Sequence, residues 1–350
     1  MTEHLTLVEI DVPFRRPLET AAGRIEARRS VLVGVETGGV TGWGEAPAFP
    51  SGRFGTAAEA MHDLANPAEW SNDHPSVPIA RAALEAARAD AEARRAGVPL
   101  YEWLGATGTA MAARHPIGLL DPHRVLEEVA WLEAHGIAAV KLKIVPGRDV
   151  VPVEALRSAL PELDIGVDAN TAYRDPADPA FAALDAAGVS FIEQPFPGDD
   201  LDAHRTLRSA TSMSVCLDEA ITSEEAAARA LSAEAADVLS IKLNRHGLGA
   251  LRRIVATATE HGVGVRIGGT FDTTIGRLHL LAAAGLPGIV DAAVGPPSAY
   301  LAADVSRYPP ISGGRVTPEP VPGIGTEPFD EAVRQVEVRR VVVEVPRRGR

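Results

Sequence analysis

The sequence predicts an α/β protein, a (β/α)8-type barrel attached to a separate α+β unit. Three observations carry this reading. Charged residues end successive apolar runs at Lys143, Asp168, Glu193, Asp218 and Lys242, in steps of 25, 25, 25 and 24 residues. Helix-like segments close on a glycine followed at once by an apolar run, at Gly136-Ile137, Gly188-Val189, Gly262-Val263 and Gly285-Leu286. Residues 1–110 follow no such period. A strand–helix unit repeated in this way closes into a barrel, whose strands all end on the one face where polar residues are wanted. A doubly wound open sheet is the rival, and it gives no reason for a polar residue at every strand end.

In chain order, Leu5–Pro13 and Ser30–Glu36 read as strands, and Gly38-Gly39 as the turn of a hairpin running to Gly44. Val77–Ala96 reads as a helix rich in Ala, Arg and Glu, which stops at Gly97 with Pro99 beyond. The first barrel strand is expected in Pro116–Leu120, around Gly118. The next five end on the periodic residues, the seventh lies in Val263–Gly268, and the eighth is expected near Asp291. Helices are expected at 122–135, 150–160, 177–187, 199–209, 223–233, 247–261 and 274–284. The glycine after a helix closes it in the left-handed conformation. Beyond Val305, the prolines from Pro309 to Pro328 with Gly313-Gly314 read as an irregular tail, after which Val341–Val345 adds a strand to the first unit. The expected division is 1–110, an α+β capping domain; 111–308, the barrel; and 309–350, a segment returning to the cap.

Composition narrows the function classes. With 46% hydrophobic and 23% charged residues the chain is globular, which excludes disordered, collagenous and disulfide-scaffold readings. A formal charge of −13 argues against nucleic acid or an anionic membrane as partner. The lone Cys216 excludes an internal disulfide and suits a reducing compartment. Met1-Thr2-Glu3-His4 starts no signal peptide, and no apolar run is long enough to span a membrane. The cytoplasm is the expected location.

The periodic residues converge at the barrel mouth. Asp168, Glu193 and Asp218 bring three like charges into one cavity, which is costly unless a cation neutralises them. Oxygen donors of this kind suit Mg2+ or Mn2+ and argue against zinc. Lys141 and Lys143 alternate with Leu142 and share one face, and Lys242 enters from the opposite side. A lysine serves as a base near neutrality only if a neighbouring ammonium or a metal disfavours its charged form. A metal that holds a carboxylate, with lysines on both sides of the α-carbon, is equipped to remove an α-proton and stabilise an enediolate. Asn170 and Asn244 share faces with Asp168 and Lys242 and are candidate lining residues. Glu219 is expected on the other face, supporting a neighbour or capping a helix. Cys216 reads as packing, and His135 and His261 as favouring helix C-termini. Gly268-Gly269-Thr270 reads as a close backbone approach at the mouth, with a phosphate nest as the alternative.

These residues resemble the enolase superfamily, muconate-lactonizing-enzyme subgroup. The resemblance runs through Val140-Lys141-Leu142-Lys143-Ile144, Val167-Asp168-Ala169-Asn170, Ile192-Glu193-Gln194-Pro195, Leu217-Asp218-Glu219-Ala220 and Ile241-Lys242-Leu243-Asn244, and includes Trp43-Gly44-Glu45 of the cap. Lys141–Val150, Asp168–Tyr173 and Pro322-Gly323-Ile324-Gly325 are most similar to the o-succinylbenzoate synthase / N-acylamino acid racemase family. The resemblance implies a modified TIM-type (β/α)7β barrel under an α+β capping domain. It implies Mg2+ on Asp168, Glu193 and Asp218, Lys143 as base, Lys141 as its electrostatic partner, and Lys242 as opposite acid/base or stabilising cation. Thr20–Gly23 and Phe49–Arg53 would close over the substrate tail.

The implied activity is o-succinylbenzoate synthase, with N-acyl or N-succinylamino acid racemase as the alternative, muconate cycloisomerase third, and dipeptide epimerase disfavoured because Asp291-Ala292-Ala293 lacks a second Asp. A non-catalytic binding protein on this scaffold is disfavoured by the full set of carboxylates and lysines. The ends of strands six to eight depart from the family pattern at Lys242-Leu243-Asn244, Gly268-Gly269-Thr270-Phe271-Asp272 and Val294-Gly295-Pro296-Pro297-Ser298. Asn170, Asn244, Gly269, Thr270 and Ser298 are the expected substrate contacts. Arg24, Arg28, Arg53 and Arg266 are the cations available to an anionic tail, for which a succinyl group is expected. The partner is a small-molecule carboxylate, and a homo-oligomer is compatible with the sequence.

Overall fold

The computed structural model of the chain describes residues 2–20, 23–48, 55–71 and 74–346. The chain opens with strands β1 (Thr2–Thr20), β2 (Gly23–Thr37) and β3 (Val40–Pro47). Helices α1 (Ala57–Ala65), α2 (Val77–Ala96) and α3 (Leu100–Trp103) follow, then the short β4 (Met111–Ala112). The barrel strands are β5 (Arg114–Ile117), β6 (Ala139–Lys143), β7 (Asp164–Asp168) and β8 (Phe191–Glu193), then β9 (Ser214–Leu217), β10 (Val238–Lys242), β11 (Gly264–Gly268) and β12 (Ile289–Ala292). Between them run α4 (Val125–Ala134), α5 (Val150–Ala159), α6 (Pro179–Ala186) and α7 (Leu201–Ala210), then α8 (Glu224–Ser232), α9 (Leu243–Glu260) and α10 (Thr274–Ala283). The tail carries β13 (Arg315–Val316), α11 (Asp330–Val336) and β14 (Glu337–Pro346).

The eight parallel strands follow one another in sequence order from β5 to β12. The expected alternation of strand and helix is therefore observed. The barrel is nearly closed, and at its seam Arg114 of β5 pairs with Asp291 of β12 at 3.1 Å. Pro116 sits in β5, an end strand of the sheet order, where a missing N–H is tolerated. That strand begins earlier than expected, so Gly118 falls just past it.

The separate sheet is antiparallel in the order β14-β1-β2-β3, so the last strand does return to the first unit. Strand alternation divides its apolar residues between two cores. Leu5, Leu7, Val31, Val33 and Val35 pack in one cluster with Leu64 of α1 and Ile79 and Leu84 of α2. Val8, Ile10, Val12 and Leu32 belong to the cluster that continues into the barrel through Leu251, Ile275 and Leu301. The sheet thus buries both faces and fastens the cap.

Gly136, Gly188 and Gly262 adopt the expected left-handed conformation after their helices. Gly285 does not: it is glycine because a Cβ there would stand 1.9 Å from the Thr107 carbonyl oxygen. His135 and His261 each bond through Nδ1 to the carbonyl four residues back, at 2.8 and 2.9 Å, which places them at helix C-termini as expected.

Candidate active site

Register explains how the charged residues meet. Lys143 pairs level with Asp168, and Asp168 with Glu193. Glu193, however, is level with Cys216, so Asp218 lies two residues farther along and just past the end of β9. An even offset keeps a side chain on the same face, whereas a slip of one would have turned Asp218 outward. Lys242 ends β10 level with Gly268. A Cβ on Gly268 would sit 2.8 Å from the Lys242 ammonium, so the glycine gives that lysine its room.

The charges form one continuous network. Lys141 Nζ lies 2.8 Å from Asp168 Oδ2 and 2.8 Å from Glu193 Oε1. Lys143 Nζ lies 2.9 Å from the same Asp168 oxygen and also donates to Asn170 Oδ1. Lys242 Nζ is 2.8 Å from Asp218 Oδ2. Burial opposes the charge on Asp168, but the ammonium groups of Lys141 and Lys143 outweigh it and hold the carboxyl well below its ordinary range. Burial likewise opposes the Asp218 charge, and Lys242 followed by Lys141 brings its carboxyl below the usual value. The same pairs act in reverse on the amines. Burial disfavours the charges of Lys141 and Lys242, yet Asp168 with Glu193, and Asp218 with Glu193, hold them above the ordinary lysine value.

Among the described residues, no three His, Cys, Asp or Glu side chains stand together as a ready metal-holding cluster. The ammonium groups of Lys141 and Lys242 occupy the carboxylate oxygens instead. The donor set still fits a hard divalent cation: three carboxylates from neighbouring strands, two fully buried, offering oxygen alone.

The remaining expected residues fall in three places. Asn170 is in the network, accepting from Lys143 and donating to Glu219 Oε1 at 3.0 Å. Glu219 is a correction: it faces the site rather than away from it, because the chain turns directly after Asp218, with Ile221 N donating to the Asp218 carbonyl at 3.0 Å, and Glu219 lies inside that turn. Burial, then Asp218 and Asp168, push the Glu219 carboxyl above its ordinary range. Asn244 and Thr270 are buried and bonded to each other and to Asp272, with Asn244 Nδ2 to Asp272 Oδ1 at 2.5 Å and Thr270 Oγ1 to Asp272 Oδ1 at 2.9 Å. A Cβ on Gly269 would meet Arg277 Nη1 at 2.7 Å, the close approach expected of that turn. Ser298 is exposed, and its carbonyl accepts from Arg15 at 3.0 Å.

The candidate tail-reading cations need a second correction. Arg266 lies inside the barrel, 3.1 Å from Glu193 Oε2 and 2.7 Å from Asp291, with its guanidinium 5.5 Å from the Phe191 ring centre. Arg28 is buried and donates to the Ala48 carbonyl. Arg24 pairs with Glu26 at 2.8 Å. Arg53 and the rest of Phe49–Arg53 lie outside the described residues, as do residues 21 and 22 of the Thr20–Gly23 loop.

Sequence reasoning gave no role to Gln194. Its side-chain oxygen accepts from Asp218 N and Ala220 N at 2.9 and 3.0 Å, and its carbonyl accepts from Thr171 N at 2.8 Å. Gln194, Asn170, Thr171 and Phe271 all have positive φ, at 40°, 41°, 66° and 61°. Such strain collects where surrounding contacts over-determine the backbone, here at the ends of β7, β8 and β11. No local sequence signal marks it.

An eight-stranded parallel barrel, capped by an antiparallel sheet and carrying acidic and basic residues at its strand ends, is the architecture of an α/β-barrel enzyme. The model of the Enolase C-terminal domain-like family matches residues 124–332, and the chain belongs to that family. The o-succinylbenzoate synthase of Bacillus subtilis (strain 168) is 31% identical, over 95% of this chain and 96% of that protein. An N-succinylamino acid racemase of an Amycolatopsis species is also 31% identical, over 96% of this chain and 97% of that protein. Among solved structures, an enolase superfamily member from Listeria innocua superposes with a TM-score of 0.85 at 25% identity, covering 97% of this chain and 98% of that one. These relatives support an enzyme of lyase or racemase type.

Proposed function

We propose that the protein removes a proton α to a carboxylate in a Mg2+-dependent reaction that yields an enediolate. The reaction we assign is dehydration of 2-succinyl-6-hydroxy-2,4-cyclohexadiene-1-carboxylate to o-succinylbenzoate, a step of menaquinone biosynthesis. The observation that carries this reading is the pairing of Lys143 with Asp168 and of Lys242 with Asp218, which sets amines on two separate strands around buried carboxylates. Asp168, Glu193 and Asp218 would hold the cation. When bound, it would supply a positive charge that stabilises the negative charge developing on the substrate carboxylate.

Lys143 takes the α-proton at Nζ, with Asn170 fixing where that nitrogen stands. Lys141 keeps Asp168 and Glu193 in place and contributes a neighbouring positive charge. Lys242 approaches from the other side and stabilises the anion as a cation. Asn170, Gly269 and Ser298 are the proposed substrate contacts, and Asn244 and Thr270 hold the wall behind them. The same two lysines support a second reading, racemisation of N-succinylamino acids, in which each amine serves one enantiomer. Its specific support is the relative of that name, as similar to this chain as the synthase. We further place the protein in the cytoplasm, divide it at residues 110 and 308, and take a small-molecule carboxylate as its partner.

The test is kcat/KM for the cyclohexadiene acid, for N-succinyl and N-acetyl amino acids, and for cis,cis-muconate. The cyclohexadiene acid is expected to lead, and N-succinyl compounds to exceed N-acetyl ones. Muconate turning over best, or N-acetyl compounds exceeding every succinyl one, would overturn the assignment.

A further inference from the structure

The amine of Lys143 is held by more than its carboxylate. Asn170 accepts from it through Oδ1 and donates through Nδ2 to Glu219 Oε1 at 3.0 Å. Chemistry fixes the direction of this chain. An ammonium only donates, and Glu219 Oε1 accepts from the amide nitrogen, so the amide between them has one satisfied orientation. Rotating it by half a turn would aim its NH2 at the ammonium and its oxygen at the carboxylate.

The two loops that present Asn170 and Glu219 are locked to each other. Gln194 accepts from Asp218 N and Ala220 N, which flank Glu219, and through its carbonyl from Thr171 N, which follows Asn170. Its own amide nitrogen donates to the Phe196 carbonyl at 2.9 Å, so the side chain cannot turn. Asn170 N donates to Asp168 Oδ1 at 3.1 Å, completing a left-handed turn that Asn170 and Thr171 both occupy. A strained, cross-braced frame of this kind sets one side chain against another with little freedom.

We propose that Glu219 is the positioning residue for Lys143, acting through the Asn170 amide. The proposal rests on the reading in which Lys143 and Lys242 serve opposite sides of the α-carbon, and it adds to that reading which carboxylate orients which amine. Glu219 does not touch the reacting atoms. It decides whether Asn170 offers its oxygen to the amine.

The test compares wild type, Lys143→Ala, Glu219→Ala and Glu219→Gln. The first readout is solvent deuterium exchange at the α-carbon of N-succinyl-L- and N-succinyl-D-phenylalanine, with Lys143→Ala identifying the enantiomer that depends on Lys143. Glu219→Ala is expected to slow exchange of that enantiomer by about tenfold or more while leaving the other unchanged. Glu219→Gln should restore most of it, because its side-chain carbonyl can still accept from Asn170. Equal slowing of both enantiomers, or of neither, would overturn the proposal. The second readout is a crystal structure of Glu219→Ala, in which Asn170 is expected to turn and Lys143 Nζ to leave it. Should wild type exchange neither enantiomer, the racemase reading fails while the dehydration reading stands, and an unmoved Asn170 and Lys143 in that crystal structure would separately overturn the positioning role.

Discussion

Glu193 has both of its oxygens committed, Oε1 to Lys141 at 2.8 Å and Oε2 to Arg266 at 3.1 Å. A divalent cation would compete with Lys141 for the first oxygen, while Arg266 holds the second from inside the barrel. Replacing Glu193 by Ala would remove the middle donor of the set and leave two buried cations facing no carboxylate there. Glu193→Ala is accordingly expected to abolish turnover, and exhaustive chelation of the wild type to do the same until Mg2+ or Mn2+ is returned. Full activity after chelation would sink the metal assignment. The carboxylates and lysines were legible in the sequence because they recur at one period. Arg266 was legible only as a cation on strand seven, since its partners come from β8 and β12, 73 and 25 residues away.

The barrel seam depends on a charge chain that no single element contains. Arg114 of β5 reaches Asp291 at 3.1 Å and Asp164 at 2.6 Å, while Arg266 of β11 reaches Asp291 at 2.7 Å. The Phe191 ring lies beside both guanidiniums, and Gly166 leaves the space it fills, since a Cβ there would come within 2.1 Å of the ring. Burial raises the Asp291 carboxyl, but Arg266 and Arg114 outweigh it and hold it below its ordinary value. A depressed carboxylate contributes stability that is present above its unfolded pKa and lost as the pH falls through its folded one. Asp291→Asn should therefore cost about 3 kcal/mol in urea unfolding at pH 7, with the difference from wild type shrinking below about pH 4. A difference that stayed constant with pH would mean the aspartate acts by shape alone.

At the scale of the whole molecule, the cap supplies carboxylates that finish two barrel helices. Glu45 of β3 accepts from Thr273 N and Gly276 N at 3.0 Å each and from Thr273 Oγ1 at 2.7 Å, satisfying the start of α10. Glu85 of α2 accepts from Leu248 N and Gly249 N at 2.9 Å each, just after the break in α9 at Gly247. First-turn N–H groups of a helix need such acceptors, and the negative charge suits the helix N-terminus. Glu85→Ala is expected to cost roughly 1–2 kcal/mol, with faster hydrogen exchange at Leu248 and Gly249 as the direct sign. Unchanged protection at those two amides would show that α9 does not need the cap.

The sequence by itself determined the architecture and which charged residues stand at the ends of the barrel strands. Strand–helix repetition, the glycines after helices and the five charged strand ends are local or periodic features, and local chemistry is enough to produce them. What only the tertiary structure decided is which of these groups touch. Cys216, not Asp218, is level with Glu193, and the Asp218 position works because the offset is even. Glu219 turns toward Asn170 because the chain turns directly after Asp218, and Gln194 ties together loops on both sides of it. Asn244, Thr270 and Asp272 bond to one another across two strand ends. The reason is physical: a residue's type fixes what it can bond, but in a barrel the partner comes from the neighbouring strand, and register and loop closure choose it.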